Sequence, residues 1–357
     1  MSLIAFGIIG AGWRAEFYLR IAEQLPNRFR IAGMVVRNEQ QAAGIEKKWG
    51  VKTFRNIDDM LSQADLSFVV VSVPRAVAPS IVLELANKGV AVLCETPPAD
   101  RLEDLIAFNE AVGSQAKVQI AEQYLFQPNH AARLNIVRSG KLGAVSQAQV
   151  SAAHDYHGIS LLRQYLDLHY EDATIRAISF TSPIVDGPNR EGDPKALCQT
   201  ESSQVIASFE FGDKLGVYDF TGDQYFSWIR SPRLLVRGEK GEINNHQVKY
   251  LLDYSTPVDL ELNRLHAGAD GNLEGFYLKG ILCGEHYVYH NPYIPGRLTD
   301  DEIAIATCLE RMEQYVSGGP GFYSLAEASQ DHYLTHMLNK ALETKEPVRT
   351  SRQVWAI

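Results

Sequence analysis

At 357 residues the chain is long for one hydrophobic core, so two domains are the natural expectation. Its 45% hydrophobic and 22% charged residues are those of an ordinary globular protein, and a net charge of −9 argues against a nucleic-acid or anionic-membrane partner, since both need a basic surface. No apolar run approaches the roughly 20 residues that span a bilayer, no basic leader precedes the first apolar segment, and the four cysteines lack C-x-x-C spacing; a cytoplasmic protein with free thiols is expected.

From residue 3 to about 122, short apolar runs alternate with helical patterns. Residues 4–9 read as a strand and 13–25 as a helix with Phe17, Ile21 and Leu25 on one face. Strand 30–36 and a polar helix over 40–49 follow, then a nearly continuous apolar run over 67–73, as for a strand buried on both faces. A helix over 78–88 ends at Gly89, a C′ glycine, before strand 91–94, helix 102–112 and strand 118–121. Such alternation predicts a doubly wound parallel sheet with right-handed crossovers. After residue 122 a helix over 129–139 ends in Gly140, and another is expected near 158–168. Period-two strands with turn signals then predict an antiparallel meander over 204–252, and helices over 299–316 and 323–343 close the chain. The fold class expected is α/β, a Rossmann domain over 1–122 followed by an α+β domain over 123–357 with a large, mainly antiparallel open sheet. Two long polar loops, about 184–200 and 255–272, are expected to be lids or subunit contacts.

The first strand runs into Gly10-Ala11-Gly12-Trp13-Arg14-Ala15 and then a helix, which is G-x-G-x-x-A in its proper context. Gly10 permits the tight turn, Gly12 lets the backbone approach a pyrophosphate, and small Ala15 allows close helix–strand packing. The amides of Trp13 and Arg14 then face the phosphates. A nicotinamide dinucleotide is the cofactor expected. An NAD site usually ends its second strand in a carboxylate that accepts from the ribose 2′-hydroxyl. Here the strand ends Val36-Arg37-Asn38, and Arg37 can pair with a 2′-phosphate or lie against adenine, which leans the choice toward NADP over NAD.

These residues resemble the glucose–fructose oxidoreductase / inositol dehydrogenase (Gfo/Idh/MocA) oxidoreductases over nearly the whole chain. The resemblance rests on Gly10-Ala11-Gly12, on Cys94-Glu95-Thr96-Pro97, on Ser139-Gly140-Lys141-Leu142-Gly143, on Arg237-Gly238-Glu239-Lys240-Gly241 and on the closing segment 348–357. It implies a Rossmann domain, an open-faced sheet that often forms a subunit interface, and hydride transfer between NAD(P) and a hydroxyl carbon of a sugar, cyclitol or related small molecule. A homodimer or homotetramer through the C-terminal sheet is expected. Ser72, with Val73 and Pro74, is expected beside the cofactor's ribose, and Glu95 and Pro97 beneath the nicotinamide, where the family often has a cis bond.

The sequence departs from the family where the resemblance matters most. The family's E-K-P lysine helps the hydroxyl proton leave; Thr96 stands in its place and can donate a hydrogen bond but carries no cation. Ala78 stands where many members have histidine, Gln123 for a frequent asparagine and Leu125 for a frequent arginine. What remains is His154-Asp155-Tyr156-His157, near the family's D-x-x-x-H, with Ala153 in the aspartate's place. Removing a hydride from an alcohol carbon needs an acceptor for the hydroxyl proton, and a histidine titrates in the right range. His157 is therefore the expected acid–base group, with Asp155 orienting it and Thr96 assisting. Gln123, Tyr156 and Arg163 are the expected substrate contacts, although Arg163 is equally open to an interface role. His157 can instead be a helix-start residue with Asp155 as N-cap. Two other readings stay open: a nucleotide-binding protein without turnover, or an enzyme that recycles tightly held NAD during elimination or epimerisation.

Two histidine pairs at four-residue spacing, His286/His290 and His332/His336, lack an evident third ligand, so no metal is expected.

Overall fold

The computed structural model describes residues 3–113, 116–268, 271 and 273–356. Six strands and five helices alternate through the first third: β1 Ile4–Ile9, α1 Ala15–Gln24, β2 Phe29–Val35, α2 Glu39–Trp49, β3 Thr53–Phe54, α3 Ile57–Gln63, β4 Phe68–Val71, α4 Ala78–Asn87, β5 Val92–Cys94, α5 Leu102–Ala111 and β6 Val118–Ile120. The strands form a parallel sheet in the order β3-β2-β1-β4-β5-β6, a doubly wound Rossmann sheet whose direction of strand addition reverses between β1 and β4. Every residue of β4 is buried, as its unbroken apolar run requires. The two-residue β3 and the seven-residue α3, started by Asn56 accepting from the Asp59 amide, were not anticipated; elements so short carry little periodicity.

The remainder contains α6 Pro128–Arg138, β7 Val145–Ser151, α7 Asp155–Leu166, β8 Thr174–Val185, β9 Gln199–Phe211, β10 Lys214–Thr221, β11 Arg233–Gly238, β12 Gly241–Asn244, β13 Gln247–Leu251, β14 Pro257–Ala267, β15 Tyr277–Cys283, β16 His286–His290, α8 Asp300–Val316, α9 Leu325–Thr344 and β17 Val348–Arg349. Eleven strands make one sheet in the order β16-β15-β14-β13-β12-β11-β7-β10-β9-β8-β17, antiparallel among the described pairs except where β7 runs parallel to β10. The central β7 went unread because Val-Ser-Gln-Ala-Gln-Val-Ser has small and amide side chains where strands usually carry branched or aromatic ones. The expected loop at 255–272 is corrected: β14 fills most of it, paired with both β13 and β15. Half of that strand's residues are charged or polar because one of its faces is wet, and alternation of that kind reads as polarity when counted by composition. The other expected loop does lie between strands, over residues 186–198.

Helices α7 and α9 cover one face of the large sheet. Helix α8 instead crosses back to the first sheet, where Leu309 and Met312 share a core cluster with Phe6, Ile8, Tyr18 and Ile21. A capping box starts it: Glu302 accepts from the Thr299 amide at 2.8 Å while Thr299 Oγ1 accepts from the Glu302 amide at 3.3 Å. That return places Asp301 beside the fingerprint turn that follows β1. No helix of the described residues is long and apolar enough to cross a membrane.

Candidate functional site

A cavity of about 1820 Å³ opens at the carboxyl ends of β1, β2, β4 and β5, the place where doubly wound sheets take ligands. The two fingerprint glycines serve different masters. Gly10 has φ +111°, and a Cβ there would lie 2.0 Å from the Ser72 carbonyl oxygen, so the fold itself demands glycine. Gly12 has nothing within 4 Å of its virtual Cβ, so no part of the described protein requires glycine there. The amides of Gly12, Trp13 and Arg14 donate to no described group, whereas Ala15 and Glu16 donate to the Gly12 and Trp13 carbonyls at 3.0 and 3.3 Å. Three unpartnered main-chain donors facing an open cavity suit an anion.

The Arg14 side chain is spoken for. Its Nε donates to Glu95 Oε1 at 3.1 Å and its Nη1 to Asp301 Oδ2 at 2.9 Å, while Tyr18 donates its hydroxyl to the same Glu95 oxygen at 2.5 Å. Burial alone would weaken the cation, but the two carboxylates outweigh it and hold the guanidinium protonated well above its usual range. Arg14 can therefore offer a ligand its amide but not a free cation. Arg37 is exposed on the cavity wall and is joined there by Arg55, unforeseen, which donates to the Val36 carbonyl at 3.3 Å. Ser72, Glu95 and Thr96 also line the cavity. Pro97 is buried behind them after a cis Thr96–Pro97 bond and does not line it.

At the inner end, His157 and Glu122 form a buried pair, His157 Nδ1 to Glu122 Oε2 at 2.6 Å. Glu122 follows β6, and its other oxygen accepts from the Tyr124 amide at 3.1 Å. His157 lies in the first turn of α7, between the rings of Tyr124 at 4.5 Å and Tyr156 at 4.4 Å. Burial is the main cause of both shifts: it pushes Glu122 up to about 8 and His157 down to about 3. With Nδ1 committed, Nε2 is the nitrogen left for a ligand, and His157 lines the cavity. Beside it, Gln123 is buried and lines the cavity with its Oε1 unpartnered. A buried acceptor without a donor costs about 1–3 kcal/mol, so a hydrogen-bond donor brought to this oxygen would be stabilising. Tyr156 and Thr96 both line the cavity.

Three expectations fail here. Asp155 does not line the cavity; with φ 41° it opens α7, its amide donating to Tyr218 Oη at 2.9 Å, and it does not touch His157 as an orienting acid. Nor is it the N-cap, since that position is His154, without a side-chain capping bond. The orienting acid is Glu122, 35 residues away in sequence. Arg163 is turned from the cavity into the interior, where it donates to Asp331 at 2.6 Å and to the Glu327 and His169 carbonyls at 3.1 and 3.0 Å. Tyr323 also donates to Asp331 and shares a 2.8 Å bond with Ser160. That network pins α7 to α9.

Besides Glu122, composition and motif could not find His154, whose Nδ1 meets Tyr225 Oη at 2.6 Å, or Tyr124, whose hydroxyl donates to that same oxygen at 3.2 Å. His154, Tyr124 and Tyr225 line the cavity, while Glu122 lies behind His157. The segment around His154 was singled out, but its partner lies 71 residues on, in a turn without a signature. His332 and His336 share one face of α9 with ring centroids 4.6 Å apart, and among the described residues no three His, Cys, Asp or Glu side chains gather into a metal-binding group.

Removing one partner of a fully buried ion pair strands the other charge. Arg163→Met is accordingly expected to lower unfolding free energy by about 3–5 kcal/mol in urea titrations while leaving ligand affinity of the folded protein unchanged. Unaltered stability with impaired ligand binding would return Arg163 to the binding site.

Comparison with known proteins agrees with this geometry. Residues 4–123 match the Gfo/Idh/MocA family, an oxidoreductase family with an NAD-binding Rossmann fold. The chain is 24% identical over 142 residues to inositol 2-dehydrogenase 3 of Saccharopolyspora erythraea, covering 39% of this chain and 42% of that one. It is 25% identical over 146 residues to the rhizopine catabolism protein MocA of Rhizobium meliloti, covering 40% and 45%. The matched stretch is thus less than half the length of these curated relatives. In three dimensions the likeness extends further: levoglucosan dehydrogenase in complex with NADH and levoglucosan superposes with a TM-score of 0.69 over 98% of this chain and 100% of that one, at 16% identity, a likeness of fold. Over residues 4–123, about a third of its length, the chain is thus similar to the NAD-binding Rossmann fold of the Gfo/Idh/MocA oxidoreductase family.

Proposed function

We propose that the chain is an NAD(P)-dependent dehydrogenase or reductase that moves a hydride between nicotinamide and a hydroxyl or keto carbon of a sugar, cyclitol or related small molecule. One observation carries this: a single cavity is lined by both the glycine fingerprint and His157, whose Nδ1 is paired with buried Glu122. The dehydrogenases of inositol and levoglucosan among its relatives support the substrate class. Residues 1–122 would hold the cofactor and 123–357 the substrate, with α8 the segment that crosses between them.

The dinucleotide, when bound, supplies the hydride acceptor; everything else falls to the chain. The amides of Gly12, Trp13 and Arg14 would grip the diphosphate. Val36 offers no carboxylate to a ribose 2′-hydroxyl, and Arg37 with Arg55 on the same wall supports a lean toward a 2′-phosphate and NADP. Gln123 Oε1 would accept a hydrogen bond from a substrate hydroxyl, and His157 would exchange the reacting proton through Nε2. Thr96 in the place of the family's lysine leaves His157 to carry that proton. The cavity has no lysine on its described walls, and this favours one rival: dinucleotide binding without turnover.

Binding is tested with Gly12→Ala. Because a Cβ there meets only the cavity, the variant is expected to melt like the wild type yet lose most of its nucleotide-dependent fluorescence enhancement with NADH and NADPH. Wild-type protein that binds neither nucleotide ends the proposal; binding without absorbance change across a polyol and keto-sugar panel leaves the rival.

Turnover is tested through pH. While Glu122 is protonated it donates to Nδ1 and neutral His157 carries its hydrogen on Nε2; as Nε2 gives that proton to a ketone oxygen, the Glu122 proton passes to Nδ1, so the imidazole stays neutral and the carboxylate is left ionised, which suits ketone reduction. Once that proton leaves near pH 8, Nδ1 donates to the carboxylate and Nε2 becomes an acceptor, which suits alcohol oxidation. Oxidation is therefore expected to rise, and reduction to fall, through about pH 8. Glu122→Gln should flatten both profiles, and His157→Ala should cut kcat by about 10²–10⁴-fold. A wild-type rate from His157→Ala removes the assignment.

The exposed side chains of Ile178, Phe180 and Ile206 share the open face of β8 and β9, with Ile178 opposite Ile206. An apolar face of this kind supports a homodimer or homotetramer through the large sheet. Light scattering after size exclusion is expected to show the oligomer, and Phe180→Glu is expected to dissociate it; a wild-type monomer overturns this.

A further inference from the structure

The fingerprint presents amides to an anion, but its one cation, Arg14, is consumed by Glu95 and Asp301. A second cation reaches the same spot from the far side of the cavity. Arg190, on the loop between β8 and β9, lays its guanidinium 4.2 Å from the ring centroid of Trp13, the residue whose free amide belongs to the fingerprint, and 5.9 Å from that of Phe226. It lines the cavity and makes no ion pair among the described residues.

The loop is built to present it. Asn189 and Gly192 exchange backbone hydrogen bonds at 3.0 and 3.2 Å, and Asn189 Oδ1 accepts from the Glu191 amide at 2.7 Å, so Arg190 sits at the tip of a closed turn. At the loop's base Gly187 packs so tightly on Ser227 that a Cβ would come within 3.2 Å of its Cα. The turn is thus braced against the segment that carries Phe226. Trp13 itself is 56% exposed, so what Arg190 covers there is an open rim of the cavity and not the protein core.

We infer that Arg190 is a diphosphate-binding residue: it closes the 186–198 loop over the dinucleotide and supplies the cation that the fingerprint withholds. A guanidinium stacked on an aromatic face keeps its edge N–H groups free, and that edge is the part that bonds phosphate oxygens. The aromatic contacts fix its position before the ligand arrives, which lowers the cost of ordering a long side chain on binding. The loop then acts as a latch, and cofactor exchange waits on its opening.

This rests on the dinucleotide reading above, and the test separates the two. NADH and reduced nicotinamide riboside, which has the same ring and ribose without the diphosphate, are titrated against wild type, Arg190→Lys and Arg190→Met by fluorescence, with release timed by stopped flow. Arg190→Met is expected to weaken NADH about tenfold or more and to speed its release, as for one lost charge-assisted hydrogen bond, while the riboside is unaffected. Arg190→Lys, which keeps charge but not the planar fork, should fall between. NADH affinity unchanged in Arg190→Met, with wild type binding normally, overturns the latch alone. Equal weakening of both probes also overturns it, since Arg190 would then shape the cavity only. So does unchanged NADH affinity with a raised KM confined to anionic substrates, which would make Arg190 a substrate residue. Wild type that binds no NADH removes the dinucleotide reading and the latch together.

Discussion

The Arg14 guanidinium ties together three parts of the chain that are far apart in sequence: the turn after β1, the end of β5 at Glu95, and the start of α8 at Asp301. Each partner is mostly buried, so an unpaired charge at any of the three would be costly. The tie fixes the start of α8 beside the cavity, while Leu309 and Met312 pack the rest of the helix on the first sheet. It also decides how an anion is recognised here. With its resident cation neutralised, the fingerprint is left with main-chain amides, and positive charge has to come from elsewhere on the wall. Arg37 and Arg55 supply it at one end and Arg190 at the rim.

The Glu122–His157 pair applies the same economy at the opposite end of the cavity. Burial disfavours charge on both groups, and neither can lose its partner without exposing a buried polar atom to nothing. The result is a dyad in which the proton on the carboxyl determines whether the outer imidazole nitrogen donates or accepts. Flanking rings of Tyr124 and Tyr156 hold the imidazole in place.

Much of the architecture was legible because the first sheet writes its pattern locally. An unbroken apolar run such as that of β4 has one buried interpretation, and the fingerprint turn needs only neighbouring residues to be recognised. The second sheet was read less well. Its central strand β7 lacks branched side chains, and β14 alternates charge so strongly that it resembled a loop. For β7, burial is set by β10 and β11, which are distant in sequence and which no local period records.

Local sequence, then, determined the Rossmann turn and the meander, because backbone conformation and alternation are short-range properties. Only the tertiary structure decided partnership. It gave His157 a carboxyl from the end of β6 in place of Asp155, turned Arg163 inward to Asp331, and brought Asp301 and Arg190 to the fingerprint. Charge pairing acts through space, and the residues that share a few ångströms here are separated by tens to hundreds of positions along the chain.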